Sequence, residues 1–213
     1  MISGLVPPPL RGIAVVYQDT TLIVADKPAG MLAVPGRGAD KQDCCAARIQ
    51  QEFPDALIVH RLDMATSGLI VFARGAAMQR KLSRMFRERA VHKRYIARVS
   101  GKMKQAQGEI ALPLIADWPN RPKQKVDEDT GKPALTRYRV LGFDGEVSRV
   151  ELEPVTGRTH QLRVHLAAIG HPILGDMLYH GPAAERLMLH ACELSFVHPV
   201  SGEKLELRSM PPF

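Results

Sequence analysis

Cysteine is scarce in this chain of 213 residues, and the three cysteines are poorly placed for cross-linking. Cys44 and Cys45 are neighbours, Cys192 lies far along the chain, and an odd count of this kind excludes a disulfide framework. No Cys-x-x-Cys pair and no Cys/His spacing typical of zinc sites occurs. We therefore expect reduced, buried thiols in the cytoplasm, and no metal site.

Long apolar runs are missing as well. The segment Gly68–Ala73, among the longest, is far shorter than the roughly 18 residues that a membrane-spanning helix needs. The first ten residues carry no Lys or Arg and include three consecutive prolines, which excludes an ordinary secretory signal. We expect an N-terminal arm over residues 1–12, followed by one domain over 13–213 with no membrane association.

Positive charge, by contrast, is in excess. Lys and Arg number 29 against 22 Asp and Glu, which gives a formal net charge of +7. That surplus suits a polyanionic partner, either nucleic acid or an anionic membrane surface. A Walker A sequence and a dinucleotide-binding glycine fingerprint are both absent, so no nucleotide cofactor is predicted.

The hydrophobic pattern predicts an α+β domain. Four apolar residues fall at helical spacing within Gly75–Arg89, which predicts an amphipathic helix there. Short β-rich runs outnumber such helical segments, and no repeating βαβ pattern occurs. The further predictions are a hairpin of Ile13–Tyr17 with Leu22–Ala25, helices over Gln42–Phe53 and Leu162–Ile169, and strands at Leu69–Ala73, Tyr95–Val99 and Leu205–Leu207.

The segment His60–Gly68 is the densest cluster of candidate functional residues. Its sequence, His-Arg-Leu-Asp-Met-Ala-Thr-Ser-Gly, places one carboxylate beside a cation, two hydroxyls and a glycine. It joins two apolar segments as a loop, and loops on a rigid scaffold often hold catalytic groups. The alternative is that Asp63 and Thr66 only close a turn, as such residues often do.

A second cluster, Thr156–His165, combines a turn with cations and amides. Its Thr-Gly-Arg-Thr opening predicts a turn into a helix whose first N–H groups can receive an anion. His160 and His165 are five residues apart, without the spacing of a zinc-binding helix. The alternative is a core histidine with internal hydrogen bonds, beside a solvated arginine face.

A third cluster, Trp118–Lys125, holds the only tryptophan together with three cations and two prolines. A stiff, basic and aromatic loop suits phosphate contacts and base stacking. The alternative is a solvated hairpin with Trp118 packed into the core. The five cations on the helix over Gly75–Arg89 likewise suit a polyanion, although such faces are usually only solvated.

Taken together, these clusters resemble the RluA family of RNA pseudouridine synthases. The family signature His-Arg-Leu-Asp-x-x-Thr-Ser-Gly falls at His60–Gly68, within a resemblance that covers about Val15–Pro211. The segments Trp118–Val126 and Thr130–Pro133 further resemble a dual-specificity member, which modifies uridines in stem-loops of both 23S ribosomal RNA and tRNA. The other family marks, in order, are Tyr17–Asp19, Lys27–Gly30, Lys93–Ala97, Thr156–His165, Gly170–Asp176 and Leu189–Ala191.

The resemblance implies an α+β pseudouridine synthase domain, with a central, mostly antiparallel mixed sheet, flanking helices and an RNA-binding cleft. It also implies that no cofactor and no metal takes part. Asp63 matches the family's essential aspartate, which acts either on the sugar or as a proton carrier and must be ionised for both. Arg163 matches the arginine that pairs with this aspartate, and Tyr95 matches the tyrosine placed to stack on the base and to remove its C5 proton.

The same resemblance implies how RNA is held. A uridine inside a stem-loop must turn out of its stack to react, and Arg61 matches the residue that fills the vacated space or props the nucleotide. Leu189 is expected to contact the base. We expect structured RNA as the partner, a monomeric protein in the cytoplasm, and no S4 RNA-binding domain. Phosphate contacts are predicted, from charge and loop position, for Lys27, Arg121, Lys123, Lys125 and Arg158.

Two other functions are compatible with parts of this pattern. A non-catalytic RNA-binding module would share the charge and the basic loop, but it would bind RNA without any dependence on Asp63. A nuclease or glycosidase with a lone carboxylate would ordinarily need a second carboxylate or a metal, and neither is apparent near Asp63. Intact RNA after incubation would exclude this last class.

Overall fold

The computed structural model describes residues 12–213, so the expected arm over residues 1–12 lies almost wholly outside the described residues. The helices are α1 (Cys45–Glu52), α2 (Gly75–Arg87) and α3 (Gln161–Ala168), and short 3-10 helices cover Ala39–Lys41 and Trp118–Asn120. The strands are β1 (Ala14–Gln18), β2 (Leu22–Lys27), β3 (Ala56–Ile58), β4 (Ser67–Arg74), β5 (His92–Ser100), β6 (Gln107–Ile110), β7 (Leu114–Ala116), β8 (Gln124–Val126), β9 (Thr136–Asp144), β10 (Val147–Pro154), β11 (Leu189–Val197) and β12 (Lys204–Arg208).

The chain divides into two compact units. The first comprises Met1–His92 and Ala191–Pro212, and the second comprises Lys93–His190 with Phe213. The single domain expected over 13–213 stays a prediction, and each unit is described by itself.

The first unit is built on antiparallel strands. β2 pairs with β1 on one side and with β4 on the other, and β4 also pairs with β3. β11 is hydrogen-bonded to β4 and pairs with β12. Nearly every residue of β4 is buried, which explains why its sequence is an almost unbroken apolar run.

Helix α2 covers this sheet with its apolar face. Met78 and Leu82 belong to the same buried cluster as Leu69 and Val71 of β4. Complete burial of one leucine such as Leu82 contributes about 2 kcal/mol, so this face fixes the position of the helix. The opposite face carries exposed cations, namely Arg80, Lys81, Arg84 and Arg87, with Arg89 just beyond the helix end.

The second unit contains four further antiparallel strands of the ten-stranded sheet. Their order is β5-β10-β9-β6, and β7 pairs with β8 as a separate two-stranded sheet. An isolated parallel bridge joins Gly101 to Val147, so the pairing is mostly but not wholly antiparallel. α3 packs Val164 into a small cluster with Leu114, Ala134 and Tyr179.

The α+β class and the mostly antiparallel pairing predicted for the chain are confirmed. The predicted hairpin and all three predicted helices are present, with ends displaced by up to three residues. α1 begins at Cys45 and not at Gln42, because the Cys44 Sγ accepts the N–H of Ala47 at 3.3 Å and caps the helix. None of the helices within residues 12–213 is both long enough and apolar enough to cross a membrane.

The adjacent cysteines lie in the interior, as expected. Cys44 and Cys45 are buried, whereas Cys192 is half-buried. Burial raises the pKa of the Cys45 thiol to about 12, in spite of the opposing charge of Lys27. Cys45 therefore stays a neutral thiol at physiological pH and is a poor nucleophile.

Candidate active site

Asp63 lies on the loop between β3 and β4, in the first unit. Its side chain is half-buried, while the neighbouring Arg61 is exposed. The N–H of Thr66 donates to the backbone carbonyl of Asp63 at 3.1 Å, and this bond closes a turn. The main chain of Asp63 and Thr66 therefore takes part in a turn, as one reading of this segment expected.

Both ends of this loop are fixed within the first unit. The N–H of Val71 donates to Nε2 of His60 at 2.9 Å, and the His60 ring stacks on Phe86 with 4.2 Å between centroids. At the other end Gly68 has a φ of +113°, and a Cβ there would lie 2.3 Å from the carbonyl oxygen of Ala191. Only glycine fits this position, so the close approach of β4 and β11 explains the end of the signature.

Lys27 is fully buried, and the prediction that it contacts phosphate is wrong. Its Nζ donates to the backbone carbonyls of Pro28 at 2.8 Å, Met31 at 2.8 Å and Met64 at 3.1 Å. A buried ammonium is stable only when its protons are hydrogen-bonded, and three acceptors meet that need. The N–H of Gly30 also donates to the Met64 carbonyl, at 2.9 Å. Lys27 therefore fixes the main chain at the residue that follows the candidate aspartate.

In the second unit, Arg163 of α3 forms a buried ion pair that the sequence did not reveal. Its Nε and Nη2 each donate to a carboxylate oxygen of Asp176 at 2.7 Å. The two side chains are 5% and 0% exposed, so this pair is shielded from water. Oδ1 of Asp176 also accepts the N–H groups of Leu178 at 3.1 Å and Tyr179 at 3.3 Å. The guanidinium is thereby held in one orientation.

Tyr179 links α3 to the basic loop within the second unit. Its hydroxyl lies 2.7 Å from Nδ1 of His160 and accepts the N–H of Gln124 at 2.9 Å. His160 has a left-handed φ of 53°, which costs a non-glycine residue about 1 kcal/mol. The bond to Tyr179 helps to hold this residue in place. Sequence reasoning missed Tyr179, because it lies outside every recognised motif.

His165, in the same motif, is structural. Its Nδ1 lies 2.9 Å from Oγ1 of Thr136, and its Nε2 lies 2.9 Å from the carbonyl oxygen of Leu112. Burial lowers the pKa of His165, against the opposing effect of the bond to Leu112. The alternative of an internally bonded core histidine is thus confirmed for this residue. Among the described residues, no group of three or more His, Cys, Asp or Glu side chains is placed to hold a metal ion.

Tyr95 and Leu189 also lie in the second unit. Tyr95 is half-buried in β5, opposite Leu152 of β10, and Leu189 is buried at the start of β11. Of the residues expected to act on the target uridine, Arg163, Tyr95 and Leu189 thus lie in the second unit, whereas Asp63 and Arg61 lie in the first. The assembly of these residues into one site, including the pairing of Asp63 with Arg163, stays a prediction.

The basic loop Trp118–Lys125 lies at the surface of the second unit. Trp118 is 66% exposed, so the alternative that packs it into the core is wrong. The cations predicted to contact phosphate in this unit all reach solvent: Arg121, Lys125 and Arg158 are exposed, and Lys123 is half-buried.

Comparison with known proteins agrees with the sequence motifs. Residues 21–168 match the RNA pseudouridylate synthase family. Over 212 residues the chain is 50% identical to the dual-specificity RNA pseudouridine synthase RluA of Escherichia coli strain K12, with 97% of each chain covered. Over 204 residues it is 52% identical to the protein of the same name from Yersinia pestis, with 93% of this chain and 99% of the relative covered.

Solved structures of similar fold carry the same description. Human RNA pseudouridylate synthase domain containing 1 matches with a TM-score of 0.79 and 30% identity, covering 98% of this chain and 87% of the human chain. Human RNA pseudouridylate synthase domain containing 4 matches with a TM-score of 0.76 and 26% identity, covering 93% and 88% of the two chains.

Proposed function

The chain belongs to the RNA pseudouridylate synthase family, and from that premise we propose that Asp63 starts the isomerisation of specific uridines in structured RNA. A pseudouridine synthase breaks the N1–C1′ bond of uridine, turns the uracil and joins C5 to C1′. The C5 proton leaves to solvent, and N1 takes one up. Atoms and electrons balance, so the isomerisation consumes no co-reactant; we also propose that it uses no cofactor and no metal.

The observation that carries the role of Asp63 is the construction of its loop. His60, Gly68 and the buried Lys27 hold the main chain on either side of Asp63. A carboxylate on a fixed backbone is pre-positioned, so little freedom is lost when substrate binds. Asp63 then acts either as a nucleophile towards the sugar or as a base, and each role requires its ionised form.

We further propose that Arg163 pairs with Asp63 and that Tyr95 stacks on the target base. The ion pair with Asp176 supports the role of Arg163, because it orients the guanidinium through Nε and Nη2. A tyrosine suits its proposed position, since the ring can stack on uracil and the hydroxyl can help to remove the C5 proton.

Base flipping explains how a uridine inside a stem-loop reaches Asp63. We propose that the exposed Arg61 fills or props the space that the nucleotide leaves, and that Leu189 contacts the base. Phosphate contacts are proposed for the four cations at the surface of the second unit, namely Arg121, Lys123, Lys125 and Arg158.

The proposed substrates are stem-loops of 23S ribosomal RNA and of tRNA. Relatives that are 50% and 52% identical over almost their whole length are named dual-specificity RNA pseudouridine synthases, which supports action on two classes of RNA. We propose that the protein acts as a monomer, in the cytoplasm, where both RNAs are found.

Tritium release from RNA labelled at C5 of uridine tests the function. We expect the wild-type protein to release tritium from a stem-loop of 23S ribosomal RNA and from a tRNA stem-loop, without added metal. The RNA should keep its length, since an isomerase breaks no phosphodiester bond. RNA cleavage, or binding of both stem-loops without tritium release, would overturn the proposal in favour of a nuclease or a non-catalytic RNA-binding protein.

A further inference from the structure

The single tryptophan of the chain occupies an unusual place. Trp118 begins the short 3-10 helix Trp118–Asn120 and is 66% exposed. Tryptophan is usually well buried, because its large ring gains more from leaving water than most side chains do. The exposed indole therefore calls for a functional explanation.

Hydrogen bonds hold the loop that exposes Trp118. The N–H of Asp117 donates to the carbonyl of Lys123 at 3.0 Å, and the N–H of Lys123 donates to the carbonyl of Asn120 at 3.0 Å. The Asn120 side chain adds a bond to Oδ2 of Asp117 at 2.9 Å. The Tyr179 hydroxyl then fixes the end of the loop through the N–H of Gln124. These bonds pre-position the indole, so a ligand would not have to order the loop.

Arg121 is stacked on the indole. Its Cζ lies 3.1 Å from the Trp118 ring centroid, which is a cation–π contact. Exposed Lys125 is 3.3 Å from the Asp127 carboxylate, so part of its charge is offset within the protein. The segment 117–127 contains three cations and two aspartates, Asp117 and Asp127, beside its aromatic ring. Asp127 also accepts a hydrogen bond from the Thr130 hydroxyl. Charge alone is therefore a weak explanation for RNA binding here, and stacking must contribute.

We propose that Trp118 and Arg121 form a stacking platform for one unpaired nucleobase of the RNA substrate, other than the uridine that reacts. An aromatic ring next to cations fits RNA, since every base has a π-face and every nucleotide has a phosphate. Arg121 contributes its planar guanidinium to this platform. Its role is thereby more specific than the phosphate contact proposed above. The inference rests on the proposed function only because it takes the same RNA as the ligand.

Because Trp118 is the only tryptophan, its fluorescence reports directly on the platform. Titration with a tRNA stem-loop should quench the emission of the wild-type protein as a base stacks on the indole. The same stem-loop with abasic loop nucleotides, and heparin, a polyanion without bases, should bind with little quenching. Equal quenching by heparin, or no quenching by RNA, would overturn the proposal.

Substitutions separate stacking from charge and from folding. Trp118→Leu should weaken stem-loop binding about 10-fold, and Trp118→Phe less than about 3-fold, since a base stack contributes on this order. Heparin affinity should not change in either variant. Phe143 is a matched control, because it is an exposed aromatic (57%) of the same unit that no RNA role requires. Phe143→Leu should bind the stem-loop normally, and the same loss in Phe143→Leu as in Trp118→Leu would overturn the proposal.

Tritium release, followed in the same samples, separates this inference from the proposed function. Trp118→Leu should raise KM and leave kcat unchanged, since the platform does not touch the reacting uridine. Tritium release by the wild type without any quenching would refute the platform and leave the enzyme assignment intact. Quenching without tritium release would support the platform and refute the enzyme assignment.

Discussion

The charged side chain of Lys27 is buried in the interior of the first unit and is not exposed to water. The carbonyls of Pro28, Met31 and Met64 replace that water, and one of them belongs to the residue after Asp63. Removal of the ammonium would take a donor from all three carbonyls, although that of Met64 would keep the N–H of Gly30; a carbonyl that loses its donor away from water is costly. The lysine is therefore a structural support of the candidate catalytic loop.

Lys27→Met should lower the free energy of unfolding by about 3 kcal/mol, because the methionine fills the space but donates no hydrogen bond. Urea unfolding followed by circular dichroism measures this loss. Lys125→Met is the control: its side chain is exposed, and we expect a change within about 0.5 kcal/mol. Equal stability of the two variants would show that the Lys27 bonds contribute little.

The ion pair between Arg163 and Asp176 makes a simple deletion of the arginine hard to interpret. Arg163→Ala would strand the buried Asp176 carboxylate, so lost activity could come from lost folding. Arg163→Lys keeps the positive charge but loses the bidentate contact with Asp176. This variant therefore tests the orientation of the side chain separately from its charge.

Asp176→Asn should cost about 3–5 kcal/mol of unfolding free energy, since it leaves the Arg163 guanidinium buried beside a neutral amide. Thermal and urea unfolding measure the cost. Asp129→Asn, at an exposed aspartate of the same unit, should be neutral. A fully stable Asp176→Asn protein would contradict the assignment of this pair as a main support of α3.

At the scale of elements, the turn between β1 and β2 depends on Asp19. Its Oδ1 accepts the N–H groups of Thr21 at 2.6 Å and Leu22 at 2.9 Å, and Oδ2 accepts the Tyr17 hydroxyl at 2.7 Å. Burial favours the neutral acid, but these bonds and that of the Thr21 hydroxyl outweigh it and lower the pKa of Asp19 to about 2. The folded protein therefore prefers the ionised form.

Stability should fall in acid as a result. A depressed pKa gives a contribution that is complete above the unfolded value, near pH 4, and is lost as the pH falls towards about 2. Asp19→Asn should be less stable than wild type at neutral pH, and its unfolding free energy should decline less between pH 4 and pH 2. Parallel pH profiles for the two proteins would contradict this role of Asp19.

The sequence predicts elements whose pattern is local. The apolar spacing of α2 lies within thirteen residues, so the predicted helix Gly75–Arg89 differs from the observed helix Gly75–Arg87 only at its end. The start of α1 was missed, because cysteine is not a usual N-cap residue. The buried roles of Lys27 and Asp176 cannot be predicted from local pattern, and a lysine before Pro-Ala-Gly resembles a surface residue. The carbonyls that bind Lys27 and the guanidinium that binds Asp176 come together only in the fold.

At the scale of the whole molecule, the net charge of +7 is only partly available to RNA. Lys27 and Arg163 are buried, and some surface cations are engaged by acids, as in the Arg74–Asp55 pair at 3.1 Å. Exposed cations, among them those on α2 and in the second unit, can meet phosphate. Affinity for RNA should then be strongly electrostatic and sensitive to salt.

The dependence of RNA affinity on salt measures how many phosphates are neutralised. Log affinity should fall linearly with log salt, and Lys123→Ala or Arg158→Ala should each make the slope shallower by about 1. Lys27→Met should leave the slope unchanged, since Lys27 makes no phosphate contact. A slope near zero for the wild type would contradict the electrostatic origin of binding.

Pseudouridine formation by the Asp63→Asn variant measures the chemical role of Asp63. Asp43→Asn is the matched control, because Asp43 is an exposed aspartate paired with Arg48 on α1. Mass spectrometry of digested stem-loop RNA counts the product, and filter binding checks that RNA is still bound. We predict that Asp63→Asn binds RNA but forms pseudouridine at least about 1,000-fold more slowly, while Asp43→Asn is normal. Product formation by Asp63→Asn at a rate near that of the wild type would contradict the role assigned to Asp63.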